Sequence, residues 1–373
     1  MTGYNLPYDE CAGDGLRTVL EKLFETGAVS AAIVPLESRG KTRLDLCLVG
    51  ARGALEKARP IAPFFFGNRA LGVSRLTRLG ELPERAIAIL RPCEARSLVE
   101  LRKLKQAASD NLIILCVDCA GTVSAADYRE KMASGSGFHQ QLAHAFRQGQ
   151  DLEGAREACS ICRYPALDNE IDIHAGLFGQ EGCVLLLPVS EKGAGLLGGL
   201  GMQEAGQPEL DARKEALKKI REHRKARQGE WLAALPFASG GAKALAAHFD
   251  SCEQCRACSE TCPVCYCKQC YFKMASMETE PANVFLKAAH LEKVPLPSSP
   301  LFFHLGRMTH MAHSCTGCGA CTEACPSGID VAKAFIAAAG EVQKTFDYEP
   351  GRSTDDKLPV TIFKEDELED EVR

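Results

Sequence analysis

The chain has 373 residues, 46% of them hydrophobic and 25% charged, with a net charge of −5. That length allows roughly two or three domains with ample material for a core, and the mildly acidic balance leaves no electrostatic footprint for nucleic acid. No apolar run is long enough to span a bilayer, and no signal peptide is visible in the polar start MTGYNLPYDE, so a cytoplasmic protein is expected. In that compartment thiols stay reduced, and nineteen cysteines point to metal sites rather than disulfides.

Taken in order, the spacing of Leu16, Val19, Leu20, Leu23 and Phe24 predicts a helix over 15–27. AAIVPLE and KTRLDLCLVG follow as strand-like runs. A short helix is expected over 53–59, a strand over 86–92, an amphipathic helix over 94–107 and a further apolar strand over 111–119. Strand, helix and continuously apolar strand in succession suggest α/β packing on a mostly parallel sheet. Residues 126–157 are polar and helix-prone, CVLLLPVS (183–190) is another strand, and the Gly-rich 193–208 looks like a loop. Gly193, Gly195 and Gly198 match G-x-G-x-x-G after a strand, but no helix-forming segment follows them, so the phosphate-binding logic fails. Residues 209–235 form a charged helix whose charges read as a solvated face, and the domain boundary is placed near it.

The last third carries one string twice, C-x-x-C-x-x-C-x-x-x-C-P. It occurs at Cys252, Cys255, Cys258, Cys262 and Pro263, and again at Cys315, Cys318, Cys321, Cys325 and Pro326. This is the bacterial ferredoxin run, in which three close thiolates grip one 4Fe–4S cubane and the fourth, turned away by the proline, ligates the other. Cys252, Cys255, Cys258 and Cys325 are therefore assigned to one cluster, and Cys315, Cys318, Cys321 and Cys262 to the second. A zinc site or structural thiols would not call for two complete runs with both prolines. The intervening stretch is long and helix-prone at 272–277, 282–289 and 302–314, and a closing helix follows the second run. This suggests the α-helical type of dicluster domain. From Asp355 the chain is acidic, and a mobile tail is expected.

A second set of cysteines lies in the N-terminal part. Cys93 follows one strand, Cys119 ends the next, and Cys159 and Cys162 form a C-x-x-C pair on a loop. Strand ends of α/β sheets gather ligands, so these four are candidates for one further cluster. Cys116 is an additional candidate. A tetrahedral zinc site from Cys116, Cys119, Cys159 and Cys162 is one alternative, and burial of Cys93 and Cys116 as apolar fillers is another. Cys265, Cys267 and Cys270 directly follow the first run and could hold a further metal. Cys11, Cys47 and Cys183 are expected to be structural, and lone histidines such as His310 and His313 to be surface or supporting groups.

RPCEARSLVELRKLKQ, DNLIILCVDCAGT, CSICRYPALDNEIDIHAG and the SEKG of 190–193 resemble the beta subunits of formate dehydrogenases and deazaflavin-coenzyme-reducing hydrogenases. The resemblance covers about 85–195 and, separately, the ferredoxin runs. It implies a cluster at Cys93, Cys119, Cys159 and Cys162, with an adjacent FAD near Asp172, Gly176, Glu191, Lys192 and Gly193. The order of the domains is similar to that of bacterial formate dehydrogenase beta subunits.

The expected fold class is thus α+β. An N-terminal α/β-type flavin and iron–sulfur domain (1–208) leads through a linking charged helix (209–240) into an all-α dicluster ferredoxin domain (241–346), with an acidic tail (347–373). The expected protein is an oxidoreductase's electron-transfer subunit carrying three 4Fe–4S clusters and FAD, with no catalytic acid–base residues of its own. Its partner would be a molybdenum or tungsten formate dehydrogenase catalytic subunit. A hydrogenase beta subunit, or a flavin-free wiring adaptor to a heterodisulfide-reductase-like complex, is the alternative.

Overall fold

A mixed eight-stranded sheet organises the N-terminal half of the computed structural model, which describes residues 3–8, 11–38, 43–62, 64, 67–133, 138–273, 280–293 and 300–362. The strands are β1 (Tyr4–Pro7), β2 (Ala31–Glu37), β3 (Leu44–Val49), β4 (Ala86–Leu90), β5 (Leu112–Val117), β6 (Ile173–Gly176), β7 (Cys183–Pro188) and β8 (Gln203–Glu204). Their order is β3-β2-β4-β5-β6-β7-β1-β8. The middle is parallel, with Ala31 opposite Ala86, Leu90 opposite Cys116, and Cys116 opposite His174. The flanks are antiparallel, so the parallel expectation holds only for β2, β4, β5 and β6. Short hairpin-type returns such as β6 to β7 cannot make parallel pairs, which need a longer crossover.

Helices cover both faces. α1 (Ala12–Glu25), α2 (Ala70–Thr77), α3 (Pro92–Lys103), α4 (Ala125–Ala133), α5 (Phe138–Gln148), α6 (Glu157–Ser160), α7 (Glu191–Gly198) and α8 (Gln207–Ala233) follow in order. On one face Leu16, Leu20 and Leu23 of α1, Phe146 of α5, Leu197 of α7 and Ile220 of α8 pack on Ile87, Ile113 and Ile173. On the other, Val73 of α2 and Leu98 of α3 pack on Ala88, Leu90, Ile114 and Cys116. The alternation of β4 and β5 side chains between the two cores explains why these strands read as unbroken apolar runs.

Two segments differ from expectation. The Gly-rich stretch starts as α7, because Ser190 caps it by accepting the Gly193 amide at 3.1 Å. The charged helix α8 is more than a link. Leu217, Ile220, Arg213 and Arg224 are buried against the N-terminal domain, and its charges elsewhere are solvated.

The second half is helical and carries α9 (Pro236–His248), α10 (Ala257–Glu260), α11 (Pro281–Leu291), α12 (Pro300–Met311), α13 (Ala320–Glu323) and α14 (Val331–Thr345). Phe249, Phe272, Phe303, Met308, Met311, Val331 and Phe335 form its core, with Cys252, Cys262, Cys321 and Cys325 packed on it. The helix expected over 272–277 begins as a single turn, Tyr271–Lys273, and its remainder lies outside the described residues. Past α14 the chain returns as a strap over the N-terminal domain. Tyr348 donates its hydroxyl to Glu100 at 2.7 Å, and the Gly351 amide donates to the same carboxylate at 2.9 Å. Thr354 likewise donates to Glu170 through its amide at 2.8 Å. The expected tail is thus held through Tyr348, Gly351 and Thr354, with Leu358 and Pro359 also buried, and 363–373 lie outside the described residues.

Candidate iron–sulfur centres

The two ferredoxin runs fold into the same loop. Gln254 and Gly317, each just before the middle cysteine, have φ of 54° and 69°, and Arg256 and Gly319, just after it, have 64° and 71°. Left-handed backbone costs a non-glycine residue about 1 kcal/mol or more. The first run therefore holds Gln254 and Arg256 against preference in a conformation that glycine gives the second run freely. In each loop the amide two residues beyond the first cysteine faces its sulfur: Gln254 donates to the Cys252 sulfur at 3.4 Å, and the Gly317 amide hydrogen-bonds to Cys315.

The fourth cysteines cross over. Cys325 acts electrostatically on Cys252 and Cys258 of the first run, whereas Cys262 is influenced by Cys318 and Cys315 and acts on Cys321. Burial pushes the Cys258 thiol up to about 11 against the pull of Arg307, and the Cys315 thiol also to about 11. Such thiols give up their protons only to a strong cation, which iron supplies on binding.

Arg307, on α12, is 3% exposed and forms no ion pair with a carboxylate among the described residues. Its Nη1 donates to the Cys258 sulfur at 3.0 Å, its Nη2 to the Cys258 carbonyl at 3.2 Å, and its ring neighbour is Phe335 at 4.6 Å. A buried cation needs a counter-charge. Thiolate-bound clusters carry net negative charge, so the donor set fits cubanes on both sides of this arginine. His304 stacks on Phe249 with ring centroids 3.8 Å apart and sets Nε2 3.4 Å from the Cys252 sulfur. Burial pulls its pKa down to about 3. His310 is exposed and His313 is buried.

The N-terminal cysteines converge as well. Cys93 opens α3, Cys119 follows β5, Cys159 lies on α6 and Cys162 on the loop after it. Burial and the neighbouring Glu94 raise the Cys93 thiol, with Cys318 and Cys119 adding to the rise. Burial and then Cys159 push Cys119 up to about 11. For Cys159 burial is outweighed by Arg156 and the Thr122 hydroxyl, which hold the thiol below its ordinary value. Cys116, fully buried, packs in the apolar core beneath α3, where burial and then Asp118 and Cys119 raise its thiol.

Buried arginines position this group. Arg224 of α8 donates to the Cys119 carbonyl at 3.2 Å, the Cys162 carbonyl at 3.3 Å and Asp151 at 2.7 Å. Arg156 donates to the Cys159 sulfur at 3.3 Å and to the Cys318 carbonyl at 3.1 Å. It therefore spans the N-terminal set and the second ferredoxin loop. Gly319 lies so close to Ala158 that a methyl group there would sit 2.8 Å from its Cβ. Beside the set, Asp118 accepts from the Leu177 and Phe178 amides and pairs with Arg213 at 3.0 Å and His174 at 2.6 Å. Despite burial, Arg213 and His174 hold the Asp118 carboxyl well below the usual range.

None of these arginines was singled out from sequence. Arg224 lies among many helix charges, whereas Arg307 gave a readable signal as the lone charge in FFHLGRMTHM.

Of the residues expected around a flavin, Glu191 and Lys192 line one cavity of about 410 Å³, and Asp172, Gly176 and Gly193 meet protein groups. Asp172 accepts the Ile114 amide at 2.8 Å and the Ser190 hydroxyl at 2.5 Å. A Cβ on Gly193 would collide with the Asp172 carbonyl, and one on Gly176 with Arg213. Both glycines thus permit protein-to-protein approach. Lys192 reaches the Asp110 carbonyl at 3.4 Å, and Glu191 is exposed. A cavity of about 1020 Å³ lies elsewhere, lined by Tyr8, Arg17, Arg59, Ile61, His139 and Phe146 among others. Three residues beyond Ile61, the Phe64 carbonyl accepts from Arg91, next to Cys93.

Paired cysteine loops on a helical scaffold, with a further cysteine set beside them, define an iron–sulfur electron-transfer protein. Residues 248–329 match the family model of the 4Fe–4S dicluster domain. Over most of its length the chain is also similar to formate dehydrogenase beta subunits, which are oxidoreductase components. It is 24% identical over 313 residues to F420-dependent formate dehydrogenase subunit beta of Methanocaldococcus jannaschii, covering 74% of this chain and 76% of that one. It is 26% identical over 321 residues to F420-dependent formate dehydrogenase 1 subunit beta of Methanococcus maripaludis, covering 75% and 76%. A chain of the F420-reducing NiFe hydrogenase complex from Methanosarcina barkeri aligns over 63% of this chain and 92% of its own, with 13% identity and a TM-score of 0.45. No helix among the described residues is long and apolar enough to cross a membrane.

Proposed function

We propose that the chain is the flavin-containing, iron–sulfur beta subunit of a formate dehydrogenase, and that it connects a molybdenum or tungsten catalytic subunit to a soluble hydride carrier. Three 4Fe–4S sites stand in a row: Cys252, Cys255, Cys258 and Cys325; then Cys315, Cys318, Cys321 and Cys262; then Cys93, Cys119, Cys159 and Cys162. The observation that carries this reading is the proximity of Cys93 to Cys318, which joins the N-terminal set to the ferredoxin pair. The similarity to formate dehydrogenase beta subunits supports the choice of partner.

A flavin supplies the exchange between two-electron and one-electron carriers that such a wire needs at one end. Of the residues named by family resemblance, Asp172, Gly176 and Gly193 are occupied with protein contacts, and Glu191 and Lys192 are exposed. The cavity lined by Arg17, Arg59, Ile61 and His139 is the better place for FAD. Its large volume suits a dinucleotide, and it adjoins the segment leading to Arg91 and Cys93. The chain's own residues hold the clusters, exclude water from them and fix their spacing.

Anaerobic reconstitution of the full chain with iron, sulfide and excess FAD tests this. At least about twelve iron and twelve sulfide, as three cubanes require, and about one retained FAD are expected after desalting, with a loss of about four of each in the double variant Cys159→Ser, Cys162→Ser. Equal contents in that variant and wild type would remove the N-terminal site. Absence of stoichiometric flavin would leave a flavin-free wire.

A further inference from the structure

The three cysteines that follow the first run have no place in the two ferredoxin clusters. Cys262, Cys265, Cys267 and Cys270 fall within nine residues of one another. The segment from Cys262 to Cys270 contains no helix or strand, and the Cys265 amide donates back to the Cys262 carbonyl at 3.2 Å. The backbone is therefore free to curl, as cluster-binding loops do. Cys265 and Cys270 pack on the helical core while Cys267 is exposed, so the three thiols lead from core to solvent. They stand within electrostatic reach of one another, since Cys270 and Cys267 both act on Cys265.

Two properties of the surroundings point to a ligand. Structural cysteines are ordinarily buried fillers in apolar surroundings, whereas this set includes an exposed thiol beside two half-buried ones. Arg307 also extends to this side. Its charge acts on Cys265 as well as on Cys258, Cys262 and Cys321, and it hydrogen-bonds to the Cys265 side chain. A buried guanidinium with no carboxylate partner among the described residues calls for anionic groups around it.

We propose that Cys265, Cys267 and Cys270 bind an additional iron–sulfur cluster through three thiolates, leaving one iron at the surface open to an external ligand such as a thiolate. The site follows from the convergence of the loop and its contact with Arg307, and it stands independently of the formate dehydrogenase reading. It lies beside Cys262 and thus next to the second ferredoxin cluster.

The test compares full-length wild type with the triple variant Cys265→Ser, Cys267→Ser, Cys270→Ser, both reconstituted anaerobically. Loss of about four irons and four sulfides in the variant is expected, one cubane's worth. Equal iron and sulfide contents, or loss of a single zinc without sulfide, would overturn the proposal. Should the triple variant fail to fold, the exposed Cys267→Ser alone decides. In wild type, excess 2-mercaptoethanol should change one reduced-cluster electron paramagnetic resonance signal, and in Cys267→Ser that response should disappear while the dicluster signals persist. No response in wild type, or an undiminished response in the variant, refutes it.

Discussion

Replacing Arg307 with glutamine should lower the reduction potentials of both ferredoxin clusters. Arg307 donates to the Cys258 sulfur at 3.0 Å, and its charge also acts on Cys262 and Cys321 of the neighbouring set. An added electron is spread over a cubane, so its mean distance from the guanidinium is about 6 Å, and at an effective dielectric of about 20 the attraction is about 2.8 kcal/mol. At 1.36 kcal/mol and 59 mV per decade for one electron, that is about 120 mV. Water entering the vacated space screens part of it, so a fall of about 60–120 mV is expected for the first cluster and less for the second. The sign follows because the cation stabilises the reduced, more negative state. Arg307→Lys keeps the charge but cannot reach both the sulfur and the carbonyl of Cys258, so it should shift potentials less. A redox titration monitored by electron paramagnetic resonance reads both clusters. Unchanged potentials in a glutamine variant with full iron content would refute the placement of this charge.

Cys262→Ser should disturb the spectrum of the cluster held by Cys315, Cys318 and Cys321, whereas Cys252→Ser disturbs the other. The crossed-ligand assignment is wrong if both variants alter the same cluster. Gly193→Ala should destabilise the folded protein by about 2–3 kcal/mol through overpacking against the Asp172 carbonyl. Gly195→Ala, which meets open space, serves as the control in anaerobic denaturant titrations, and equal midpoints would contradict the packing role of Gly193.

The ferredoxin loops were legible because their ligands are local in sequence and their spacing is set by cluster size. Which of Cys119 and Cys116 is the better ligand candidate was not separable by spacing alone. The difference lies in position along β5: Cys116 is within the strand and packs in the core under α3, whereas Cys119 is beyond the strand end. The helix α7 was hidden by its glycines, because low intrinsic propensity is overridden here by the Ser190 cap and by packing that requires Gly193. Arg224 was hidden for the opposite reason. A helix dense in charge reads as solvated all round, and only the tertiary fold reveals which arginine turns inward to two cluster-loop carbonyls. The antiparallel flanks of the sheet depend on strand pairing that no local pattern encodes.

At each joint between neighbouring cysteine sets stands a buried guanidinium. Arg156 touches the Cys159 sulfur and the Cys318 carbonyl, and Arg307 touches the Cys258 sulfur and carbonyl of the first ferredoxin set while its charge acts on Cys262 and Cys321 of the second. Adjacent anionic clusters repel, so an electron on one makes reduction of the next harder. A cation between them offsets that repulsion on both sides, an effect magnified by burial. Arginine suits the position because it stays charged at any working pH and offers several donors in a fixed plane. The spacing it acts across is held by hydrogen bonds to backbone and hydroxyl groups. Ser97, one turn from Cys93, hydrogen-bonds to Thr316 at 3.0 Å between Cys315 and Cys318, and Arg96 donates to the Thr316 carbonyl at 3.3 Å and the Pro350 carbonyl at 2.9 Å. The seam between the two halves therefore fixes distance with hydrogen bonds and balances charge with arginines, and both devices meet at the loop that carries Cys318.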